Sequence, residues 1–252
     1  GQATYFNFSY VIQANDPDPL SNSVLVIATD HQEHEKRWSS VWWIDVVHPA
    51  IQITKTPNKA CAHVGETIIY TINVSVPSWA DVWMNGTVTD SMLGFIGSFT
   101  NLKPGEWKTW PVTYVVPPAV DPVVNTATVV AYDHQMHERN ATAECKVDIL
   151  HPEIVVTKEG PIYADVGDII LYYVNVTNNA TDTTLYNITV IDDIVGFIVL
   201  IPVLLPGETS HLTYTWTMPP GVPKLDNTVT ASGEDKQHVW VSDSDSWTVI
   251  TY

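Results

Sequence analysis

The stretch from Asn125 to Ile154, NTATVVAYDHQMHERNATAECKVDILHPEI, is written more than once in this chain, and that repetition limits what the chain can fold into. An earlier copy from Asn22 reads NSVLVIATDHQEHEKRWSSVWWIDVVHPAI, and a later one from Asn227 reads NTVTASGEDKQHVWVSDSDSWTVITY. His48-Pro49 returns at His151-Pro152, Val64-Gly65-Glu66 at Val166-Gly167-Asp168, Pro104-Gly105-Glu106 at Pro206-Gly207-Glu208, and Asn125 at Asn227, each 102 or 103 residues on. A period of that length is too long for a solenoid turn and fits one independently folding domain. The 252 residues therefore read as a part unit at 1–48 and full units at 49–150 and 151–252.

Within the second unit, alternating or apolar β-rich runs at 51–55, 67–76, 82–90, 92–99, 107–116, 125–132 and 141–150 are punctuated by Pro, Gly, Asn and Asp. None shows a sustained helical period. Seven short strands in about 100 residues predict an immunoglobulin-like two-sheet sandwich, so the fold class is all-β, tandem sandwiches in a rod with the first incomplete. Between full units the chain passes from Asp148-Ile149-Leu150 through His151-Pro152 into Ile154-Val155-Val156 with no Gly/Ser linker. Proline and its restricted predecessor make that joint short and stiff.

The part unit opens in mid-domain if Gly1-Gln2 aligns with Gly105-Glu106, leaving strands at roughly 4–12, 23–29 and 39–47. So short a piece with one apolar sheet face buries too little surface to stand alone. Its missing strands come either from upstream residues of a longer polypeptide or from a neighbouring copy that donates strands across an open sheet edge. A head-to-tail contact of the second kind that does not close gives a filament.

Net charge is −17 with only 11 Lys+Arg, which argues against nucleic acid, whose binding is driven by cations on phosphate. No run of 18 apolar residues is present, so no helical membrane span is expected. Seven Asn-x-Ser/Thr sequons, at Asn7, Asn73, Asn85, Asn140, Asn175, Asn179 and Asn187, point to an exported, cell-surface glycoprotein carrying covalent glycans.

The third unit carries the repeat most completely, through Lys158, Val166-Gly167-Asp168, Tyr173, Asn175, Asn187-Ile188-Thr189-Val190, Asp192, Leu205-Pro206-Gly207-Glu208 and Asn227-Thr228. This pattern resembles the conserved repeat known as domain of unknown function eleven, an immunoglobulin-like module found in tandem in archaeal and bacterial cell-surface proteins. The resemblance implies an external structural or adhesive role and brings no catalytic residues.

Cys61 and Cys145 both fall in the second unit, and both are replaced by large aromatics, Tyr163 and Trp247, in the third. Joint replacement predicts a disulfide, with two buried free thiols as the alternative. Asp133, His134 and His137, echoed by Asp30, His31 and His34, offer imidazole and carboxylate ligands for a transition metal. The third copy puts Lys236 at the first histidine, so a polar turn capped by aspartate competes with metal binding. Asp192-Asp193, Asp243 and Asp245 raise calcium as a further ligand. No cofactor is otherwise expected.

Lys55 and Lys158 lie on first strands, while Asn125 and Asn227 open penultimate ones. A Lys–Asn isopeptide bond of the kind found in some surface adhesins would need a buried carboxylate beside each pair, which the sequence does not place. The alternative is an edge lysine and an asparagine that serves a turn. No Gly-x-Ser-x-Gly elbow, His-Glu-x-x-His or phosphate-binding loop is present, so no enzyme is expected. Of ten tryptophans, Trp107, Trp110 and Trp216 read as core, and Trp38, Trp42, Trp43 and Trp240 as contacts between domains or subunits. The expectation is a structural subunit of an extracellular filament, with copies of itself as partners. An adhesin or carbohydrate-binding stalk, or a surface-layer component, is the alternative.

Overall fold

The computed structural model describes residues 2–13 and 15–251; Gly1 of the opening alignment and the Tyr252 boundary lie outside them. Those residues form β-strands and no helix. By packing, the chain makes two compact units. One comprises Gly1–Asn58, Ile69–Val112 and Asn125–Cys145, the other Lys59–Ile68, Thr113–Val124 and Lys146–Tyr252.

The first strands, β1 (Leu20–Thr29) and β2 (Glu35–Ile44), pair antiparallel from Leu20 opposite Ile44 to Thr29 opposite Glu35. Among the described residues no third strand joins them. The next eight are β3 (Gln52–Pro57), β4 (Cys61–Ala62), β5 (Thr67–Ser75), β6 (Met84–Asp90), β7 (Gly94–Leu102), β8 (Trp107–Val115), β9 (Val123–Tyr132) and β10 (Glu138–Ile149). They make a three-stranded sheet, β3-β5-β8, and a five-stranded one, β4-β10-β9-β6-β7.

The same plan returns in β11 (Ile154–Glu159), β12 (Tyr163–Ala164), β13 (Ile169–Asn178), β14 (Leu185–Asp192), β15 (Gly196–Leu204), β16 (Thr209–Thr217), β17 (Lys224–Glu234) and β18 (Trp240–Thr251). Their sheets run β11-β13-β16 and β12-β18-β17-β14-β15. Tandem sandwiches are thus the fold, as the repeat predicts.

Period-two alternation builds each core. On β5 the side chains of Ile68, Tyr70, Ile72 and Val74 point inward and are fully covered, and Ile170, Tyr172, Val174 and Val176 do the same on β13. In the first unit Ile72 and Val74 meet Met84, Val88, Phe99, Ala127 and Val129 from the facing sheet. The Pro-Gly-Glu turns are closed alike. Gly105 and Gly207 take φ of 81° and 75°, and the Glu106 and Glu208 carboxylates accept the amides of Lys103 and Leu205.

Three expectations are corrected. Residues 4–12 form no strand and lie exposed. Their expected match, β8, is held beside β5 in a three-stranded sheet, and among the described residues no strand lies beside 4–12. Trp107 is 68 % exposed, because a residue three positions from the half-buried Trp110 must face the other side of β8. Lastly, Cys61 and Cys145 are free thiols. Cys61 pairs with Asp148, three residues along β10 from Cys145. At a rise of about 3.3 Å per residue that offset puts the two Cα atoms beyond the roughly 7 Å a disulfide spans.

Gly86 lies where a Cβ would sit 2.6 Å from both the Phe99 ring and the Val130 carbonyl oxygen. Gly86→Ala should therefore cost about 2 kcal/mol of stability through overpacking. Chemical denaturation checks this: the midpoint falls, and an unchanged midpoint contradicts the packing described.

Candidate functional site

Inside the last sandwich the Lys158 side chain has no exposure, and neither has that of Asp192. Lys158 stands on β11, Asp192 ends β14, and Asn227 lies on β17, so three strands from two sheets converge on one point. Lys158 Nζ donates to Asp192 Oδ2 at 2.8 Å and to Asn227 Oδ1 at 2.5 Å. It sits 4.4 Å from the centre of the Tyr172 ring and 5.4 Å from that of Tyr214. The Tyr214 hydroxyl donates to the same Asp192 oxygen, while Asp192 Oδ1 accepts the amides of Ile194 and Val195.

Burial works against every charge in this cluster. It pushes the Lys158 ammonium below its ordinary value, opposed by Asp192. It also pushes the Asp192 carboxyl upward, but Lys158, Tyr214 and two backbone amides outweigh it and the net direction is down. The Asn227 Nδ2 is buried with no hydrogen bond of good geometry, the Tyr172 hydroxyl being the group beside it.

The other sandwich repeats the arrangement. Lys55 Nζ bonds Asp90 Oδ2, both side chains fully buried, beneath the Tyr70 ring at 4.6 Å. Asp90 Oδ1 accepts the Met92 and Leu93 amides at 2.9 and 3.0 Å. Asn125 is fully buried, its Oδ1 accepting from Ser91 Oγ at 3.0 Å and its Nδ2 without a partner. The free thiol of Cys145 touches the Asn125 carbonyl oxygen, and burial holds its pKa up.

The histidine loops are turns. Asp133 Oδ1 accepts the Gln135 and His137 amides, its Oδ2 meets His137 Nδ1 at 2.9 Å, and Met136 takes φ 66°. Asp30 does the same with Gln32 and His34. His134 points instead toward the Trp83 ring, 5.9 Å away. Asp133, His134 and His137 therefore do not converge on one point. In the third copy Val239 stands at the place of His137, and Asp235 takes His63 Nε2 at 2.7 Å instead. The aspartates considered for calcium accept backbone amides, Asp192 from Ile194 and Asp193 from Thr228 among them. Asp243 and Asp245 accept the Val156 and Lys158 amides, satisfying the outer edge of β11.

Among the described residues one trio brings ligand atoms within 4.8 Å of one another: Asp18, His48 and Asp81. His48 donates its backbone amide to Asp81 Oδ1, sets Nδ1 2.9 Å from Asp81 Oδ2, and lies 3.9 Å from Asp18. His151 repeats this with Asp182 at 2.9 Å and Asp121 at 3.9 Å. The sequence marked both histidines only as parts of His-Pro joints.

None of the seven sequon asparagines is buried. Asn85 Oδ1 accepts the Asn101 amide, and Asn187 Nδ2 donates to Glu234.

No family model matches the chain, and neither does any curated protein. Solved structures give faint likenesses. Fibronectin(III)-like modules of CbhA from Clostridium thermocellum are 13 % identical, with 78 % of this chain and 93 % of that one covered and a TM-score of 0.28. A tetra-tandem repeat from the extending region of a large adhesion protein is 18 % identical over 92 % of this chain and 57 % of that one, with a TM-score of 0.28. The structure described as PcdhgB3 EC1-4 is 15 % identical over 92 % and 57 %, with a TM-score of 0.33.

The His48 and His151 pairs make a pH prediction. Hydrogen bonding to Asp81 and Asp182 raises both imidazoles above 6.5, against a smaller opposing effect of desolvation. A raised folded value contributes stability that is fully present below pH 6.5 and is lost as pH rises through that value. Asp81 is lowered on balance: burial pushes it up, and the bonds from His48 outweigh that. Its contribution is lost as pH falls through its folded value. The difference in unfolding temperature between the wild type and His48→Gln/His151→Gln should therefore be largest near pH 5 and shrink toward pH 8, read by circular dichroism melts.

Proposed function

We propose that this protein is a structural subunit of an extracellular surface filament. Immunoglobulin-like sandwiches form its body, and strands of a second copy complete its opening half-module, head to tail. One observation carries the reading. Asn22 pairs with Trp42 as Asn227 pairs with Trp247, which supports reading β1 and β2 as counterparts of β17 and β18. On β9 the corresponding face, Val123, Asn125, Ala127, Val129 and Ala131, is completely covered, whereas Val24 and Val26 are 45 % and 53 % exposed.

Trp38, Trp42 and Trp43 add further uncovered apolar surface, as do Tyr5, Phe6, Phe8 and Val11 in the unpaired opening segment. Apolar area on that scale marks an interaction surface. The sheet that fits is of the kind this chain already builds twice. Edge pairing then supplies main-chain hydrogen bonds, and the repeat's own alternation sets the register. Seven unburied sequons and an acidic surface agree with life outside the cell. None of the clusters described combines a nucleophile, a base and an open pocket, which favours a structural role over catalysis.

Negative-stain microscopy of the purified native protein tests this. Long uniform threads are expected. Dispersed monomers or closed dimers overturn it, as does a mature polypeptide whose own upstream residues cover the hairpin.

A further inference from the structure

A buried primary amine held against a carboxamide, with a carboxyl group touching the amine, contains every group needed to exchange one amide for another. The Lys158, Asp192 and Asn227 cluster has that composition and contact geometry. We propose that Lys158 and Asn227 are joined in the mature protein by an intramolecular isopeptide bond, formed without any added reagent, with Asp192 as the catalytic residue.

Proton transfer across the 2.8 Å from Lys158 Nζ to Asp192 Oδ2 leaves a neutral amine and a carboxylic acid, so neither charge is buried. The Nζ lone pair then attacks Asn227 Cγ. The Nζ–Cγ bond forms and the Cγ–Nδ2 bond breaks. The carboxyl lends its proton to the departing nitrogen and takes back the one that Nζ gives up. One ammonia leaves, Asp192 ends as the neutral acid holding the proton that the Lys158 ammonium brought, and no oxidant or nucleotide takes part.

Three further observations agree. Asn227 Nδ2, the leaving nitrogen, has no well-formed hydrogen bond to hold it. The Tyr172 and Tyr214 rings flank the amine and keep water out, which protects the reaction from hydrolysis. Two backbone amides and the Tyr214 hydroxyl fix the Asp192 carboxyl, so the cluster is preorganised by folding itself. The same three residue types recur, buried, as Lys55, Asp90 and Asn125. Turn asparagines and edge lysines have no reason to be fully buried together.

Proteolytic digestion of the purified full-length protein and tandem mass spectrometry test the bond. The expected result is a branched peptide joining the segments around Lys158 and Asn227, lighter than their sum by one ammonia. Asp192→Asn, which keeps shape but cannot shuttle the proton, should lose the branched species and recover both residues in linear peptides. Linear Lys158 and Asn227 peptides of unaltered mass from folded wild type overturn the proposal. So does an ammonia loss confined to Asn227 alone, which marks cyclisation. If the variant does not fold, the wild-type digest still decides.

Discussion

The fold of each sandwich turns on a lysine that should not be where it is. Taking an ammonium out of water costs several kcal/mol even after relaxation, and removing one member of a buried pair costs about 3–5 kcal/mol. Lys158 is tolerated because Asp192 and Asn227 reach it from the facing sheet. Those contacts tie β11 to β14 and β17 across the core. A sequence slipped by one residue on any of the three strands would strand a charge in hydrocarbon, so the cluster fixes register more sharply than interchangeable Val and Ile do.

The edge strands obey a related constraint. The outward amides of β11 have no strand to bond, and Asp243 and Asp245 on β18 supply the acceptors. In sequence these carboxylates look like a cation site. In the fold one oxygen of each accepts an amide of β11, so a structural role accounts for the pair and clustered acids alone are weak evidence for calcium.

Much of this architecture was legible beforehand. Alternation along residues 67–76 and 125–132 reported β5 and β9 because one face of each is buried. The two-residue strands β4 and β12 were not legible, since a period cannot be read from two positions. The carboxylate beside each lysine was missed because an aspartate closing a strand reads as a turn residue. A signal was available, however. The separations from lysine to aspartate are 35 and 34 residues in the two copies, and aspartate precedes asparagine by 35 in both. Comparing polar spacings between repeats would have exposed the triad. The disulfide failed for a geometric reason: joint replacement showed that two positions share a neighbourhood, and only strand register shows that they are offset along it.

Asn22 occupies on β1 the register position that Asn227 holds on β17. It puts a carboxamide in the middle of an otherwise oily face. Greasy surfaces are promiscuous, but any cover that seals this one without offering a hydrogen bond there forfeits about 1–3 kcal/mol. In the proposed assembly a single side chain would thereby act as a password, discriminating among sheets that otherwise fit equally well.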